Sequence, residues 1–281
     1  MTDVTVVVGA GSIGQAIARR VSSGAHVVLA DLKRESAEAA AGVLEMAGFR
    51  TTATVVDVSD RASVRALIAL AQGLGPIRSL VQAAGVSPSQ APVATILKVD
   101  LYGTAMLLEE FGQVIAEGGN AIVISSQSGY RLPALTAEED RQLAVTPAED
   151  LLALPVVAGV EDTLHAYQIS KRCNSLRVRG EAPKWGRRGA RVNAISPGII
   201  VTPLAHDELN GERAAFYRDM LARNPAGRAG TPDEVAALAA YVRHETASIA
   251  GRPLADLLAG QVEFSPAPAG SGMTEGQNVR S

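Results

Sequence analysis

The chain alternates short, almost continuously apolar runs with longer amphipathic segments, and this alternation restricts the folds open to it. Strands without a polar face are buried on both sides, which is typical of a parallel sheet covered by helices on both faces. Right-handed crossovers then give a doubly wound α/β fold of the Rossmann type. The predicted strands are Val4–Val8, His26–Ala30, Thr51–Val56, Ser79–Ala83, Ala121–Ser125 and Arg191–Ile195.

Segments with the helical spacing of apolar residues lie between these runs, and we predict one domain rather than two. The candidate site residues come from both halves of the chain, so a boundary near the middle would divide the site. We assign residues 1–264 to the domain and 265–281, rich in Pro, Gly and Ser, to a flexible tail. The predicted helices are Ser12–Ser22, Arg34–Ala47, Arg61–Leu74, Ile96–Glu117 and Thr163–Gly180.

Residues 131–162 interrupt the alternation, and we predict a helical insertion there. Two Thr-x-x-Glu patterns, Thr136–Glu139 and Thr146–Glu149, are capping boxes that begin two short helices, and Thr231 begins a third pattern of this kind. We interpret the insertion as a lid or substrate wall, with a surface excursion as the alternative.

The segment 203–225 is predicted to bind substrate through a few large side chains, namely Phe216, Tyr217, Met220 and Leu221.

Composition excludes several classes of protein. The 281 residues include 26 Lys and Arg against 29 Asp and Glu, and this net charge of −3 argues against nucleic-acid and anionic-membrane partners. The single cysteine excludes an internal disulfide and a thiolate zinc cage, so we predict no metal site and a reducing compartment. There is neither a signal peptide nor an apolar run of about 18 residues, so we expect a cytoplasmic protein.

Eight basic residues fall between positions 171 and 191. Apart from Lys171, we interpret them as a solvated helix face and loop. A nucleic-acid surface is the alternative, which is disfavoured because Trp185 is the one aromatic residue among them. The eight are Lys171, Arg172, Arg177, Arg179, Lys184, Arg187, Arg188 and Arg191.

A glycine motif follows the first strand and opens the first helix, where a dinucleotide-binding fingerprint belongs. Gly9 permits the tight turn, Gly11 lets the backbone approach a pyrophosphate, and Gly14 lets helix and strand pack closely. The start of the helix, with Ser12 and Ile13, offers N–H groups and a partial positive charge to phosphates.

Asp31 and Leu32 end the second strand and are predicted to contact the adenosine ribose. A carboxylate there accepts hydrogen bonds from the ribose hydroxyls and repels a 2′-phosphate, so we predict NAD rather than NADP. Lys33 and Arg34 follow closely and keep NADP as the less favoured alternative, although both are better explained as a solvated helix start.

Two further strand ends are candidate cofactor contacts. Asp57 and Val58 follow the third strand and are predicted to meet the adenine edge; the alternative is an Asp that caps the next helix. Ala84 and Gly85 follow the fourth strand, where small residues let a cofactor lie against the sheet, and a simple turn is the alternative.

Tyr167 and Lys171 are one helical turn apart and share a face, so they can act together. A phenol has a pKa of about 10 and is a poor base at neutral pH. A nearby fixed cation stabilises the phenolate and lowers that value. Ser126, with Ser125 before it, ends the fifth strand at the edge that lines the ligand crevice, where a hydroxyl can bind a substrate oxygen.

These motifs resemble those of the classical short-chain dehydrogenase/reductase family from Val4 to about Tyr241. The resemblance rests on the glycine motif, the Ser126, Tyr167 and Lys171 set, and Asn193 to Gly198 with its Pro-Gly ending. It implies that Tyr167 is the general acid/base, that Lys171 holds the nicotinamide ribose, and that Ser126 orients the substrate oxygen. It also implies a homotetramer or homodimer built on the long helices, and nicotinamide contacts from Pro197, Gly198, Ile200 and Thr202.

The chain departs from the family pattern at several places. The family's fourth catalytic residue, an Asn, aligns with Asp100, so we expect altered rather than abolished catalysis. Ser126 and Tyr167 are 41 positions apart, farther than is usual in the family, which places the extra length in the insertion. Two segments, 249–254 and 260–264, compete for a last strand, and the family's usual Asp-Gly-Gly ending is missing.

We therefore expect an oxidoreductase that transfers a hydride between NAD(H) and a secondary alcohol or ketone. The alternative is an NAD(H)-binding sensor or scaffold with little turnover, which Asp100 and the altered C-terminal region motivate. The intact Ser126, Tyr167 and Lys171 set weighs against that alternative.

Overall fold

The computed structural model describes residues 2–212 and 214–243, and the core is a six-stranded parallel sheet. The strands are β1 (Val4–Val8), β2 (His26–Asp31), β3 (Arg50–Val55), β4 (Ile77–Gln82), β5 (Asn120–Ile124) and β6 (Arg191–Ile195). Their order is β3-β2-β1-β4-β5-β6, which confirms the predicted doubly wound fold. In β1, Val6 lies beside Val28 of β2 and beside Leu80 of β4. Strands β2 and β3 are added on one side of β1, and strands β4 to β6 on the other. The strand order therefore reverses between β1 and β4, which is the place where such folds bind ligands.

Helices cover both faces of the sheet, because neighbouring residues of a strand point to opposite sides. Val6 belongs to one buried layer, with Phe111 and Trp185, whereas Val7 belongs to the other, with Ile17. The helices are α1 (Ser12–Val21), α2 (Arg34–Met46), α3 (Arg61–Leu74), α4 (Val93–Ile96), α5 (Thr104–Val114), α6 (Ala137–Val145), α7 (Ala148–Leu151), α8 (Pro155–Ala158), α9 (Thr163–Gly186), α10 (Pro203–Asn210), α11 (Ala214–Ala222) and α12 (Pro232–Val242).

A π-helical segment, Leu97–Gly103, joins α4 to α5, where the sequence predicted one continuous helix. Helix α5 ends at Val114, three residues before the predicted end at Glu117, because the backbone of Ile115 leaves the helical conformation. Wider π-helical turns inside α-helices are rare and often mark functional sites. Here the segment carries Asp100.

The insertion forms three short helices, α6 to α8, rather than two. The capping box at Thr136 and Glu139 is confirmed, since each side chain bonds the backbone N–H of the other. The one expected at Thr146 and Glu149 is wrong: Pro147 precedes α7 without a side-chain cap. The Glu149 carboxylate instead accepts hydrogen bonds from Arg61 and Tyr102, 2.8 and 3.0 Å away. The capping box at Thr231 is confirmed.

Helix α6 packs against α9. Gly180 allows close contact, because a Cβ there would lie 2.2 Å from the carbonyl oxygen of Ala144. The Cys173 thiol lies 3.6 Å from the carbonyl oxygen of Leu143, which is fully buried. Helix α6 of the insertion therefore packs on α9, and a lid or substrate wall stays a prediction for the insertion.

Several of the basic residues between 171 and 191 are held inside the fold, so the interpretation as a solvated face is wrong for them. Arg177 is 1% exposed and contacts Glu109 at 2.8 Å and Glu181 at 3.3 Å. Arg172 pairs with Asp140 of α6.

Helix α9 runs six residues past its predicted end at Gly180, since the buried indole of Trp185 packs the last turn of the helix against the core.

The two candidate last strands, 249–254 and 260–264, and the tail at 265–281 lie outside the described residues. Within the described ranges, no helix combines the length and the hydropathy needed to cross a membrane.

Candidate active site

The loop between β1 and α1 has the tight geometry that its glycines permit. Gly9 adopts a φ of 95°, and a Cβ there would lie 2.4 Å from the backbone nitrogen of Ala84. A Cβ at Gly14 would lie 2.1 Å from the carbonyl oxygen of Gly9. Around Gly11, in contrast, nothing lies within 4 Å of the Cβ position, and α1 begins there without a side-chain cap. The first turn of α1 thus offers free N–H groups beside open space, which suits a phosphate.

Asp31 connects the end of β2 to this loop. Its Oδ2 accepts a hydrogen bond from the Ala10 nitrogen at 2.9 Å, and its Oδ1 accepts one from the Lys33 nitrogen at 3.1 Å. Arg34 points elsewhere and lies 3.7 Å from Glu38 on the surface of α2. The carboxylate at this edge is therefore fixed in place, while the nearest arginine is engaged along its own helix.

Asp57 holds the turn after β3 rather than capping the next helix. Its Oδ1 accepts hydrogen bonds from the nitrogen and the hydroxyl of Ser59, at 2.8 and 2.6 Å. The cap of α3 is Asp60, which accepts from the nitrogens of Ala62 and Ser63. Helix capping, the alternative role for Asp57, is therefore performed by Asp60.

Two adjoining cavities contain all the predicted site residues except Asp100. The first, called the glycine-loop groove, is lined by Gly9, Gly11, Ser12, Ile13, Gly14, Asp31, Leu32, Asp57, Val58, Ala84, Gly85 and Thr202. The second, called the Tyr167 pocket, is lined by Ser126, Tyr167, Lys171, Pro197, Gly198, Ile200 and Thr202, and shares Ile13 and Gly85 with the groove. A long ligand in the groove would therefore bring one end to Tyr167.

Tyr167 and Lys171 lie next to each other on α9, as their spacing predicted. The Lys171 ammonium is 5.2 Å from the centre of the Tyr167 ring, and Lys171 is 5% exposed. Burial raises the pKa of the phenol, while Lys171 and the Ser126 hydroxyl act to lower it. The phenol is therefore protonated at neutral pH, which is the state of a general acid.

Ser125 and Ser126 have different tasks, although they are adjacent. The Ser125 hydroxyl donates to the carbonyl oxygen of Lys171 at 2.7 Å and so joins β5 to α9. The Ser126 oxygen accepts from the Ser128 nitrogen at 3.1 Å. Because a hydroxyl both accepts and donates, its proton can bond an oxygen in the Tyr167 pocket, and Tyr167 itself is one such partner.

Comparisons with known proteins show which family the chain is similar to. A family model described as enoyl-(acyl carrier protein) reductase matches residues 8–137 and 151–252. The chain is 40% identical over 239 residues to the short-chain dehydrogenase/reductase bsc3 of Alternaria brassicicola, covering 84% of this chain and 87% of that one. It is 31% identical to the D-threitol dehydrogenase of Mycolicibacterium smegmatis over 88% and 87% of the two chains. The crystal structure of levodione reductase superposes with a TM-score of 0.69 at 27% identity, over 88% of this chain and 92% of that one.

The chain belongs to the short-chain dehydrogenase/reductase family. It is accordingly a pyridine-nucleotide-dependent oxidoreductase of alcohol or carbonyl groups. The two matched ranges leave out residues 138–150, which form most of α6 and the start of α7. Most of the helical layer over α9 is therefore additional to the family pattern.

The glycine-loop groove has the features that the family's dinucleotide cofactor needs. Gly11 leaves space where a Cβ would intrude, and the uncapped N-terminus of α1 presents donors for phosphate oxygens. Asp31 supplies acceptors at the end of β2, where a ribose would lie. Across residues 2–212 and 214–243, no cluster of His, Cys, Asp or Glu is arranged to hold a metal ion.

Asp100, at the position of the family's Asn, lies beneath the site rather than in it. Its carboxyl is fully buried; Oδ1 accepts from the Val86 nitrogen at 2.9 Å, and Oδ2 lies 3.6 Å from the Lys171 ammonium. Gly85 covers it, since a Cβ there would be 2.9 Å from Oδ1. Burial raises the pKa of Asp100, although Lys171 favours its ionised form. Asp100 therefore reaches the site through its contact with Lys171, and its predicted catalytic role stays a prediction.

Sequence reasoning missed three residues that support this short-chain dehydrogenase/reductase site. The amide of Asn174, with its nitrogen turned inward, donates to the carbonyl oxygens of Asp100 and Ser170 at 2.9 and 3.0 Å. Gly129 lets the turn after Ser126 touch α9, because a Cβ there would be 2.6 Å from the Arg172 nitrogen. Glu208 of α10 lines the Tyr167 pocket. None of the three forms part of a local motif, so no sequence signal pointed to them.

Proposed function

We propose that this short-chain dehydrogenase/reductase interconverts a secondary alcohol and a ketone with NAD(H), using Tyr167, Lys171 and Ser126. The observation that carries the proposal is the arrangement of the Tyr167 phenol between a buried ammonium and a strand-end hydroxyl, in a pocket that adjoins the glycine-loop groove. A sensor without turnover has no need of a phenol, a cation and a hydroxyl at one place.

Each of the three side chains has a task that its surroundings support. In ketone reduction, the Tyr167 phenol donates its proton to the oxygen that becomes the alcohol, and Lys171 stabilises the phenolate that remains. The Ser126 hydroxyl donates a hydrogen bond to the same substrate oxygen and fixes its position. Oxidation runs these proton steps in reverse. The bound nicotinamide supplies or accepts the hydride.

We propose NAD rather than NADP as the cofactor, because Asp31 places a negative charge where a 2′-phosphate would lie. Gly9, Gly11 and Gly14 with Ser12 and Ile13 would hold the pyrophosphate, and Asp57 with Val58 the adenine. Ala84, Pro197, Gly198, Ile200 and Thr202 would surround the nicotinamide end, with the ribose on Lys171.

For the assembly, we propose a homodimer or homotetramer that pairs through surfaces other than the outer face of α9. That face is occupied by α6 of the same chain, as the burial of Leu143 and Cys173 indicates. The proposed location is the cytoplasm, because one free thiol suits a reducing compartment.

Replacing Tyr167 by Phe tests the proposed reaction, since it removes the phenol oxygen and keeps the ring. A general acid contributes roughly 10²- to 10⁴-fold, so kcat/KM should fall by about that factor. The dissociation constant for NADH, measured by fluorescence, should change little. Full turnover by Tyr167→Phe would overturn the assignment. Tight NADH binding by the native protein without turnover of any alcohol or ketone would favour the sensor instead.

A further inference from the structure

The Tyr167 pocket contains a second polar position, formed by residues outside the proposed reacting set. Glu208 projects from α10 and is 2% exposed although it is ionisable. Its Oε2 accepts a hydrogen bond from the Ser89 hydroxyl at 2.9 Å, and its Oε1 accepts one from the Ser89 nitrogen at 3.3 Å. Both bonds suit the carboxylate, so the pocket wall holds a fixed negative charge.

Ser87 lies two residues before Ser89 and lines the same pocket. It is 1% exposed, and its hydroxyl oxygen has no hydrogen-bond partner among the described residues. A buried hydroxyl without a partner is unusual, because leaving it unpaired costs about 1–3 kcal/mol. A buried unpaired group of this kind calls for an explanation, and a bound molecule that completes its hydrogen bond supplies one.

The remaining wall of the pocket is largely apolar. Phe216 and Tyr217 of α11 meet edge to face, with ring centres 5.4 Å apart, and Met220 lies on the same helix. Apolar surface with a few placed polar groups is the usual composition of a small-molecule site. Beside the reacting groups, the polar lining includes Gln127, Ser128 and Arg131. Glu208 adds a negatively charged acceptor, and Ser87 adds a hydroxyl able to donate.

We propose that Glu208 and Ser87 bind a second hydroxyl group of the substrate, so that the preferred substrate is a diol or hydroxy-ketone with an apolar skeleton. A hydroxyl suits both partners, because it donates to the carboxylate and accepts from the serine. A substrate carboxylate would be repelled by Glu208 and would suit Arg131 of the same pocket instead, whereas a simple alcohol would leave Ser87 unpaired. The inference rests on the proposed function, since it takes Tyr167 as the reacting end.

Glu208 also connects two segments, because its bonds to Ser89 hold α10 against the loop after β4. The Gln90 side-chain nitrogen also donates a hydrogen bond to the Asp207 carboxylate, 3.3 Å away, between the same loop and α10. A role limited to this connection would affect every substrate equally. Selective recognition of a hydroxyl affects only substrates that carry one, and this difference separates the two roles.

The test compares binding of cyclohexanol with binding of 1,2-, 1,3- and 1,4-cyclohexanediol to the protein in the presence of NADH, by ligand-observed NMR. At least one diol should bind about tenfold more tightly than cyclohexanol, the effect of one hydrogen bond to a charged group. In Glu208→Gln and in Ser87→Ala, this preference should shrink by about the same factor, while cyclohexanol binding is unchanged.

Ser89→Ala is the matched control, since it weakens the connection and leaves Glu208 in the pocket. It should keep the diol preference. The proposal is overturned if no diol is preferred over cyclohexanol, or if Glu208→Gln weakens cyclohexanol and diols alike. Preference for 4-hydroxycyclohexanecarboxylate over the diols would also contradict it. None of these readouts requires turnover, so they remain informative if Tyr167 proves not to be the acid.

Discussion

The carboxylate of Asp100 lies 3.6 Å from the ammonium of Lys171, and both side chains are buried. The pair is held from several sides, with the Val86 nitrogen bonding the carboxylate and Asn174 bonding the Asp100 backbone. Asp100 raises the pKa of Lys171 against the effect of burial, and it also raises the pKa of Tyr167. A residue that touches neither cavity thus sets the charge balance of the site.

Replacing Asp100 by Asn should shift the pH profile of alcohol oxidation towards lower pH. Oxidation requires the site to lose a proton, and removing a buried negative charge makes every proton in the Tyr167 and Lys171 pair easier to lose. The measurement is log(kcat/KM) against pH with a substrate that the native protein oxidises. Asp140→Asn is a control, because Asp140 pairs with Arg172 outside the pocket. A profile that stays in place or moves to higher pH would show that Asp100 does not act on the pair.

Replacing Asp31 by Asn should reduce the preference for NADH over NADPH. The change removes the charge and keeps an oxygen able to accept from the Ala10 nitrogen. Opposed like charges cost several kcal/mol, so the ratio of the two kcat/KM values should narrow by about tenfold or more. Steady-state kinetics with both cofactors measures it. If the native protein already uses NADPH better, the assignment of Asp31 is wrong.

Replacing Gly85 by Ala should impair activity more than stability. The new Cβ would lie 2.9 Å from Oδ1 of Asp100 and 3.2 Å from the Lys171 ammonium, so the pair must move. Gly42→Ala in α2 is the matched control, since nothing lies within 4 Å of its Cβ position. That variant should gain up to about 1 kcal/mol in stability. Turnover and thermal unfolding of both variants give the comparison, and equal turnover would contradict the expectation.

Replacing Gly180 by Ala should loosen the insertion from α9. A Cβ would lie 2.2 Å from the Ala144 carbonyl oxygen, whereas at Gly186 of the same helix nothing lies within 4 Å. The readout is the labelling rate of Cys173, the single cysteine, which is fully buried and whose pKa burial raises to about 12. Gly180→Ala should be labelled faster than the native protein, and Gly186→Ala should not. Equal rates in both variants would mean that α6 does not protect the thiol.

Local sequence signals predicted the parts of the molecule that depend on local physics. The strands, the caps at Thr136 and Thr231, and the turn at Gly9 each follow from residues within a few positions of one another. The positions of Tyr167 and Lys171 on one helix face follow from helical spacing in the same way. These elements would look the same in many arrangements of the rest of the chain.

Contacts between distant segments decided what the sequence could not. Glu149 fits a capping box in the sequence, but Arg61 and Tyr102, 88 and 47 residues earlier, offer its carboxylate stronger partners. Leu143 of the insertion is buried beside Cys173 of α9, 30 residues later, a contact that no local motif marks. Glu208 and Ser89 meet across 119 residues without a motif that marks either.

The sequence alone determined the sheet, the glycine loop and the placement of Tyr167 and Lys171 on one helix face, because period, spacing and side-chain chemistry are properties of the chain itself. The tertiary structure alone decided that Asp100 lies behind Gly85, that the insertion covers α9, and that Glu208 faces the pocket with Ser87. Burial and charge pairing arise only when distant segments exclude water together, and that physical condition cannot be inferred from a linear pattern of residues.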